Sequence, residues 1–245
     1  MLRMRISKTT GPILIFFSLL LAGCSTNSQQ LLTVLTSPDV LIIRHHIEQD
    51  QINIEEFCRR LYLKNPIYEP DIAARERKLA SIFHPQPPSS TGNNAPAKAQ
   101  TTFTAMPGYA KLPSHQLLEA AFSPNPIDQD RILLLAVGMS KSITEGYDGY
   151  DKRTLFSGIQ LSTQKLKNLY ANLQQLSWRL KTYRCPDNNL IFLTNSVDNS
   201  GYINMGYEVI LTRLLTRTAD DIFMRNGQTP NFIFNMSTLF LPLLL

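Results

Sequence analysis

The chain reads as mainly α-helical, and three stretches carry that reading. In residues 162–182, Leu166, Leu169, Tyr170, Leu173, Leu176 and Leu180 recur every three or four positions, the spacing that gathers side chains on one face of a helix. Residues 206–224 repeat the pattern with Ile210, Leu211, Leu214, Leu215, Thr218 and Ile222. Between 126 and 145 the sequence is apolar on every side at its centre, 132–139, as a buried central helix would be. One or two short strands at most are expected beside these helices.

The first element is an N-terminal address. Arg3, Arg5 and Lys8 precede a ten-residue apolar run, 13–22, broken only by Ser18. A helix that stays across a bilayer needs about 20 apolar residues. This run is too short, and its order of positive, apolar and small residues is that of a secretory signal. The run ends in Leu21-Ala22-Gly23-Cys24, which resembles the lipobox of bacterial lipoproteins: a Leu, two small residues and a Cys. The resemblance covers residues 1–24 alone. It implies that the Cys24 thiol takes a diacylglyceryl group, that the signal 1–23 is cut away, and that the new amine is acylated. Each buried methylene contributes about 0.8 kcal/mol, and two acyl chains already anchor a protein stably. Ser25 stands where the family's inner-membrane retention signal would be Asp. The resemblance therefore implies the periplasmic face of the outer membrane in preference to the inner membrane.

Loss of the signal changes the charge balance. Of 24 basic residues three lie in 1–23, which has no acidic one, so 21 basic face 19 acidic in the remaining 222 residues. A net charge of +2 provides no electrostatic footprint for nucleic acid. Two cysteines remain besides Cys24. In an oxidising compartment Cys58 and Cys185 are a candidate disulfide, which would close a loop of well over 100 residues. The alternative is a buried Cys58 with Cys185 unpaired in a loop.

Residues 24–30 form a polar tether, whose six residues after Cys24 reach at most roughly 20 Å. Residues 31–83 form a small helical segment. Within it 52–63 has Ile54, Phe57, Cys58, Leu61 and Tyr62 at helical spacing, with Glu55-Glu56 early and Arg59-Arg60 late, an order that suits the helix macrodipole. Asn65-Pro66 ends that helix. A second starts at Pro70-Asp71 and carries Ile72, Arg75, Leu79, Ile82 and Phe83. The pair has little core of its own. Residues 84–102 hold Pro85, Pro87, Pro88 and Pro96 among Ser, Thr, Asn and Gly. Such a stretch cannot bury enough apolar surface to offset its ordering entropy, so it reads as a flexible linker.

The helical main domain, 103–245, opens with a short helix at 114–122, for which Ser114 is a candidate N-cap. The run 132–139 fits a helix or a core strand, and the absence of bounding turn residues favours helix. Ser162 caps the 162–182 helix, whose Lys165, Lys167, Asn172, Gln175 and Arg179 are expected to face water, with Trp178 at the edge of its stripe. Residues 190–194 fit one short strand. Asn226-Gly227 stops the last helix, and 231–245 packs as an extended cover on the core.

No cofactor or metal is called for by any motif. Ser162-Thr163-Gln164-Lys165 matches the Ser-x-x-Lys of penicillin-binding enzymes, but Lys181-Thr182 is followed by Tyr183 and the companion motifs are missing. His45-His46 are adjacent and point apart, so they, His84 and His115 read as exposed histidines. The loop Glu145-Gly146-Tyr147-Asp148-Gly149-Tyr150-Asp151 lacks the spacing of a calcium loop. It is the candidate contact surface, through Tyr147 and Tyr150, because aromatics on tight turns are rigid and amphipathic. The expectation is a non-enzymatic, lipid-anchored envelope protein that binds another envelope protein. The alternative is an envelope hydrolase acting on cell-wall material, with an acid and a base drawn from Glu119, Asp128, Asp130 and Glu145.

Overall fold

A computed structural model describes residues 38–85, 107–148, 161–195, 199–201 and 205–243. The lipobox-like stretch with Cys24, the expected tether, all of the expected linker beyond Pro85, and Tyr150 lie outside the described residues. Those described are mainly α. Their helices are α1 (Pro38–Lys64), α2 (Ile72–Phe83), the single turn α3 (Pro107–Ala110), α4 (Ser114–Phe122), α5 (Arg131–Gly146), α6 (Thr163–Thr182) and α7 (Gly206–Phe223). None of them is long and apolar enough to cross a membrane.

Helix α5 is the centre. Every residue from Arg131 to Ile143 is buried, so it has no solvent face, and α1, α2, α4 and α6 all pack on it. Its N-cap is Asp130, whose carboxylate accepts the Leu133 N–H at 3.0 Å. The run 132–139 is thus helix. Helix α4 packs closest to α5, at Gly138, where a Cβ would stand 3.0–3.2 Å from the side chain and backbone nitrogen of Leu118.

Helix α1 starts well before residue 52. Val40, Ile43, Ile47, Ile54, Phe57, Cys58 and Leu61 are buried along one face, but that face also carries Asp50 and is flanked by His46. Polar residues in the stripe hid its first half from a periodicity argument. Helix α2 begins where expected, with Asp71 as N-cap accepting the Ala73 N–H at 2.9 Å. Its Leu79 and Ile82 join α1 in the same apolar core as α4 to α7. The segment with little core of its own takes its core from α5 and α7.

The connections are held by single polar side chains. Asn65, just past α1, donates its amide to Leu61 O and Leu193 O (2.9 Å each) and accepts the Leu193 N–H at 2.7 Å. No strand exists at 190–194 among the described residues. The chain there makes one isolated bridge between Arg184 and Leu190, around a turn in which Asn188 takes a left-handed conformation (φ 68°). Ser162 caps α6, accepting from Lys165 N. Ser114 is not a cap: Pro113 occupies that position, and the Ser114 hydroxyl donates to Glu145 on α5. Asn226, at φ 55°, ends the last helical turn, and the Gly227 N–H reaches back to Ile222 O at 3.0 Å.

Three of the five α6 residues expected to meet water do not, while Lys165 and Lys167 stay partly exposed. Asn172, Gln175 and Arg179 are buried because residues 235–243 lie across them as a strap. Asn172 donates to Leu241 O and accepts from Leu241 N, Gln175 donates to Thr238 O, and half-buried Asn168 donates to Pro242 O. Polar residues there serve the strap's backbone, and periodicity alone cannot distinguish that role from solvation.

Because Gly138 faces Leu118 backbone as well as side chain, Gly138→Val should overpack the α4–α5 contact and cost about 1–3 kcal/mol. Chemical denaturation of the purified protein measures it.

Candidate functional site

The strap, the end of α4 and the end of α6 frame an open pocket of about 490 Å³. Its floor is an ion pair. Arg179, only 2 % exposed, donates from Nη1 to Glu119 Oε2 at 2.7 Å and from Nη2 to Glu119 Oε1 at 2.9 Å, the forked geometry that guanidinium and carboxylate share. Each partner also holds the strap. Arg179 Nη2 donates to Thr238 O at 2.5 Å, and Glu119 Oε1 accepts the Phe240 N–H at 2.7 Å. The guanidinium lies over the rings of Phe240 (4.4 Å), Tyr183 (4.7 Å) and Phe122 (5.6 Å), where cation–π attraction offsets part of its desolvation.

The rim is apolar. Ile127, Met236 and Leu239 line the pocket with roughly three-fifths of their surface in solvent, 59–66 %. Beyond it Trp178 stacks on Phe234, and Phe234 on Phe232. Of the sixteen large apolar side chains exposed among the described residues, Phe232, Ile233, Met236 and Leu239 fall within eight residues of the chain, in and just before the strap. That concentration marks this region, and not the Tyr147 loop, as the candidate binding face.

A second polar cluster sits inside the bundle, where α1, the end of α5 and α7 meet. Asp221 on α7 is wholly buried, accepts the Tyr147 O–H at 2.5 Å and lies 3.1 Å from His46 Nδ1. Asp50, also wholly buried, accepts from Arg217 at 2.8 Å. One oxygen of each carboxylate, Asp50 Oδ2 and Asp221 Oδ1, has no hydrogen-bond partner. Burial pushes Asp50 up to about 7, against the pull of Arg217. The hydrogen bond to Asp221 raises His46 above its ordinary value, against its own desolvation. The Tyr147 hydroxyl is held well above the phenol range, first by burial and then by Asp221 and Asp50. His46 and Tyr147 stood out in the sequence only as part of a histidine pair and of a candidate contact loop, and no motif marked Asp50, Arg217 or Asp221. They are single polar residues on otherwise apolar faces.

Tyr147 therefore cannot be a contact residue: it is wholly buried and its hydroxyl is committed to Asp221. Nor are the histidines uniformly exposed. His45 is, but His46 is half-buried against Asp221, and His84, though exposed, lies 2.9 Å from Glu55. Cys58 and Cys185 are both free thiols, Cys58 fully buried and Cys185 partly so, which is the unpaired alternative. Burial pushes the Cys58 thiol far up. Cys58 points from α1 into the core, whereas Cys185 sits in the turn after α6, so the candidate bridge is not formed. In the Ser-x-x-Lys stretch the Ser162 hydroxyl accepts a backbone N–H, and Lys165 pairs with Asp148 at 2.8 Å.

The four carboxylates of the hydrolase alternative all have structural partners. Glu119 holds Arg179 and the strap. Asp128 accepts from Tyr109 and from the Asp130 N–H. Asp130 caps α5 and accepts from Tyr62 and Lys78 at 2.8 Å each. Glu145 accepts from Ser114. Among the described residues no group of three His, Cys, Asp or Glu side chains is placed to hold a metal ion. No protein-family model matches the chain, and no curated protein or solved structure matches it.

Glu119→Ala strands a buried guanidinium and should cost about 3–5 kcal/mol, with proteolysis starting in residues 228–243. The double variant Glu119→Leu/Arg179→Met should regain part of that loss, as urea titration of the three proteins would show. The buried cluster sets a pH dependence. Asp50 and His46 both bind protons more tightly folded than unfolded, so their contribution is full below about pH 4 and about pH 6.5 respectively. Asp50's share is lost as pH rises through about 7, and His46's as pH rises through its raised value. The melting temperature should therefore fall by several degrees between pH 5 and pH 8, and Asp50→Asn should flatten that slope.

Proposed function

We propose that this chain is a lipid-anchored protein of the bacterial cell envelope, held on the periplasmic face of the outer membrane, and that it works as a binding module for another envelope protein. The lipobox-like Leu21-Ala22-Gly23-Cys24 with Ser25 supports the location. The observation that carries the binding role is the pocket, whose rigid, charge-neutralised floor of Glu119 and Arg179 lies beneath the exposed rim of Ile127, Met236 and Leu239.

A fixed floor with an apolar rim suits a protruding apolar side chain from the partner, because little conformational entropy is left to lose on docking. Anchor and pocket divide the work: the lipid restricts where the protein searches, and the rim selects what it holds.

Two measurements test the two halves separately. Cys24→Ser should abolish palmitate labelling and signal removal, and should shift the protein out of the membrane fraction; unchanged labelling and fractionation would sink the location. A photo-crosslinking residue at Leu239 should capture an envelope protein in intact cells, and Met236→Asp should remove that adduct. Ile67→Asp, also at an exposed apolar residue but one that does not line the pocket, should leave it in place. An adduct insensitive to Met236→Asp would refute the pocket as the docking site.

A further inference from the structure

Residues 231–235 read Asn-Phe-Ile-Phe-Asn, the same in either direction about Ile233. They lie in no helix or strand, and none has a positive φ. The rings of Phe232 and Phe234 stack at 6.1 Å, and alternate residues on one side are the signature of an extended chain. Phe234 in turn stacks on Trp178 at 6.2 Å, which fixes that side against α6. Ile233 points the other way and is 96 % exposed. Among the described residues no hydrogen bond reaches the backbone of residues 228–234, although the strap beyond them is tied at Met236, Thr238, Phe240, Leu241 and Pro242. An extended, apolar, unpaired backbone is the condition under which one chain adds a strand to another.

We propose that residues 231–235 pair antiparallel with the same residues of a second copy, about a two-fold axis through Ile233. A two-fold contact must be self-complementary, and a palindrome meets that requirement residue by residue: Ile233 faces Ile233, Phe232 faces Phe234 and Asn231 faces Asn235. Cross-strand aromatic pairs are among the favourable ones, and this register places four phenylalanine rings on one side, flanked by a Trp178 from each copy. Residues 227–245 contain no charged side chain, so pairing of this segment with itself sets no like-charged side chains of the segment against each other. A strand of another sequence would lack the mirror order that matches every position at once. The pairing depends on neither the lipid anchor nor the pocket.

Cysteine crosslinking of the purified full-length protein tests the register. Facing residues of an antiparallel pair have Cα atoms about 4.5–5.5 Å apart, inside the range a disulfide spans, about 4.4–6.8 Å. Residue 232 lies diagonally from its own symmetry mate, at about 7–8 Å. Under mild oxidation Ile233→Cys should run as a dimer above the wild-type background of Cys24, Cys58 and Cys185. Phe232→Cys and Phe234→Cys should each stay monomeric alone and form the dimer when mixed. Ile233→Asp should lose the dimer in light scattering while its helical circular dichroism is kept, since the side chain stands clear of its own fold. A monomeric Ile233→Cys with intact helical signal overturns the proposal. So does a Phe232→Cys chain that crosslinks as readily as Ile233→Cys, or Ile233→Cys adducts in cells that contain only other proteins.

Discussion

The forked contact between Arg179 and Glu119 is the constraint on which the outer half of the molecule depends. It joins α6 to α4 and reaches on to the strap's backbone through Arg179 Nη2 and Glu119 Oε1. A guanidinium this deeply buried is costly unless every side of it is occupied. Here a carboxylate, a carbonyl and three aromatic rings surround it, while its Nε is left without a hydrogen-bond partner. The pocket floor is that arrangement, and with Asn168, Asn172, Gln175 and Tyr183 it sets the strap's position.

The inner half rests on a different balance. With His46 protonated and both carboxylates ionised, the charges of Asp50, Asp221, His46 and Arg217 sum to zero; without that proton the bundle encloses an excess negative charge. Two carboxylate oxygens without hydrogen-bond partners leave the cluster under-satisfied, and a raised proton affinity is how such a site responds. The cluster couples α1 to α5 and α7, so α1, the first of the described helices, is the one whose attachment responds to protons.

Much of the fold was legible in the sequence because apolar periodicity reports burial directly. Helices α2, α6 and α7 stand close to their expected spans, and α5 resolved as a helix from a run that fitted either element. Legibility failed wherever a polar side chain is buried for a partner distant in the chain. Asp50 and His46 concealed the start of α1. Asn172, Gln175 and Arg179 imitated a solvated face because their partners lie some 60–70 residues away. Tyr147 looked like a surface aromatic because Asp221 is 74 residues distant. Ser114 matched a cap by type, yet Glu145 claimed its hydroxyl. The pocket left no local signal, since its floor and rim come from three separate stretches.

The strap is gripped through its main chain: the amides of Asn168, Asn172 and Gln175 and the Arg179–Glu119 pair all take hold of peptide groups. Apart from Phe240 and Leu243, whose side chains are buried, such a grip is largely blind to side-chain identity. The letters displayed outward along the strap are consequently free to drift under selection for whatever they touch, while the ribbon stays fastened in place. Attachment and recognition are written in different parts of the same residues, which lets a lineage retune one without reinventing the other.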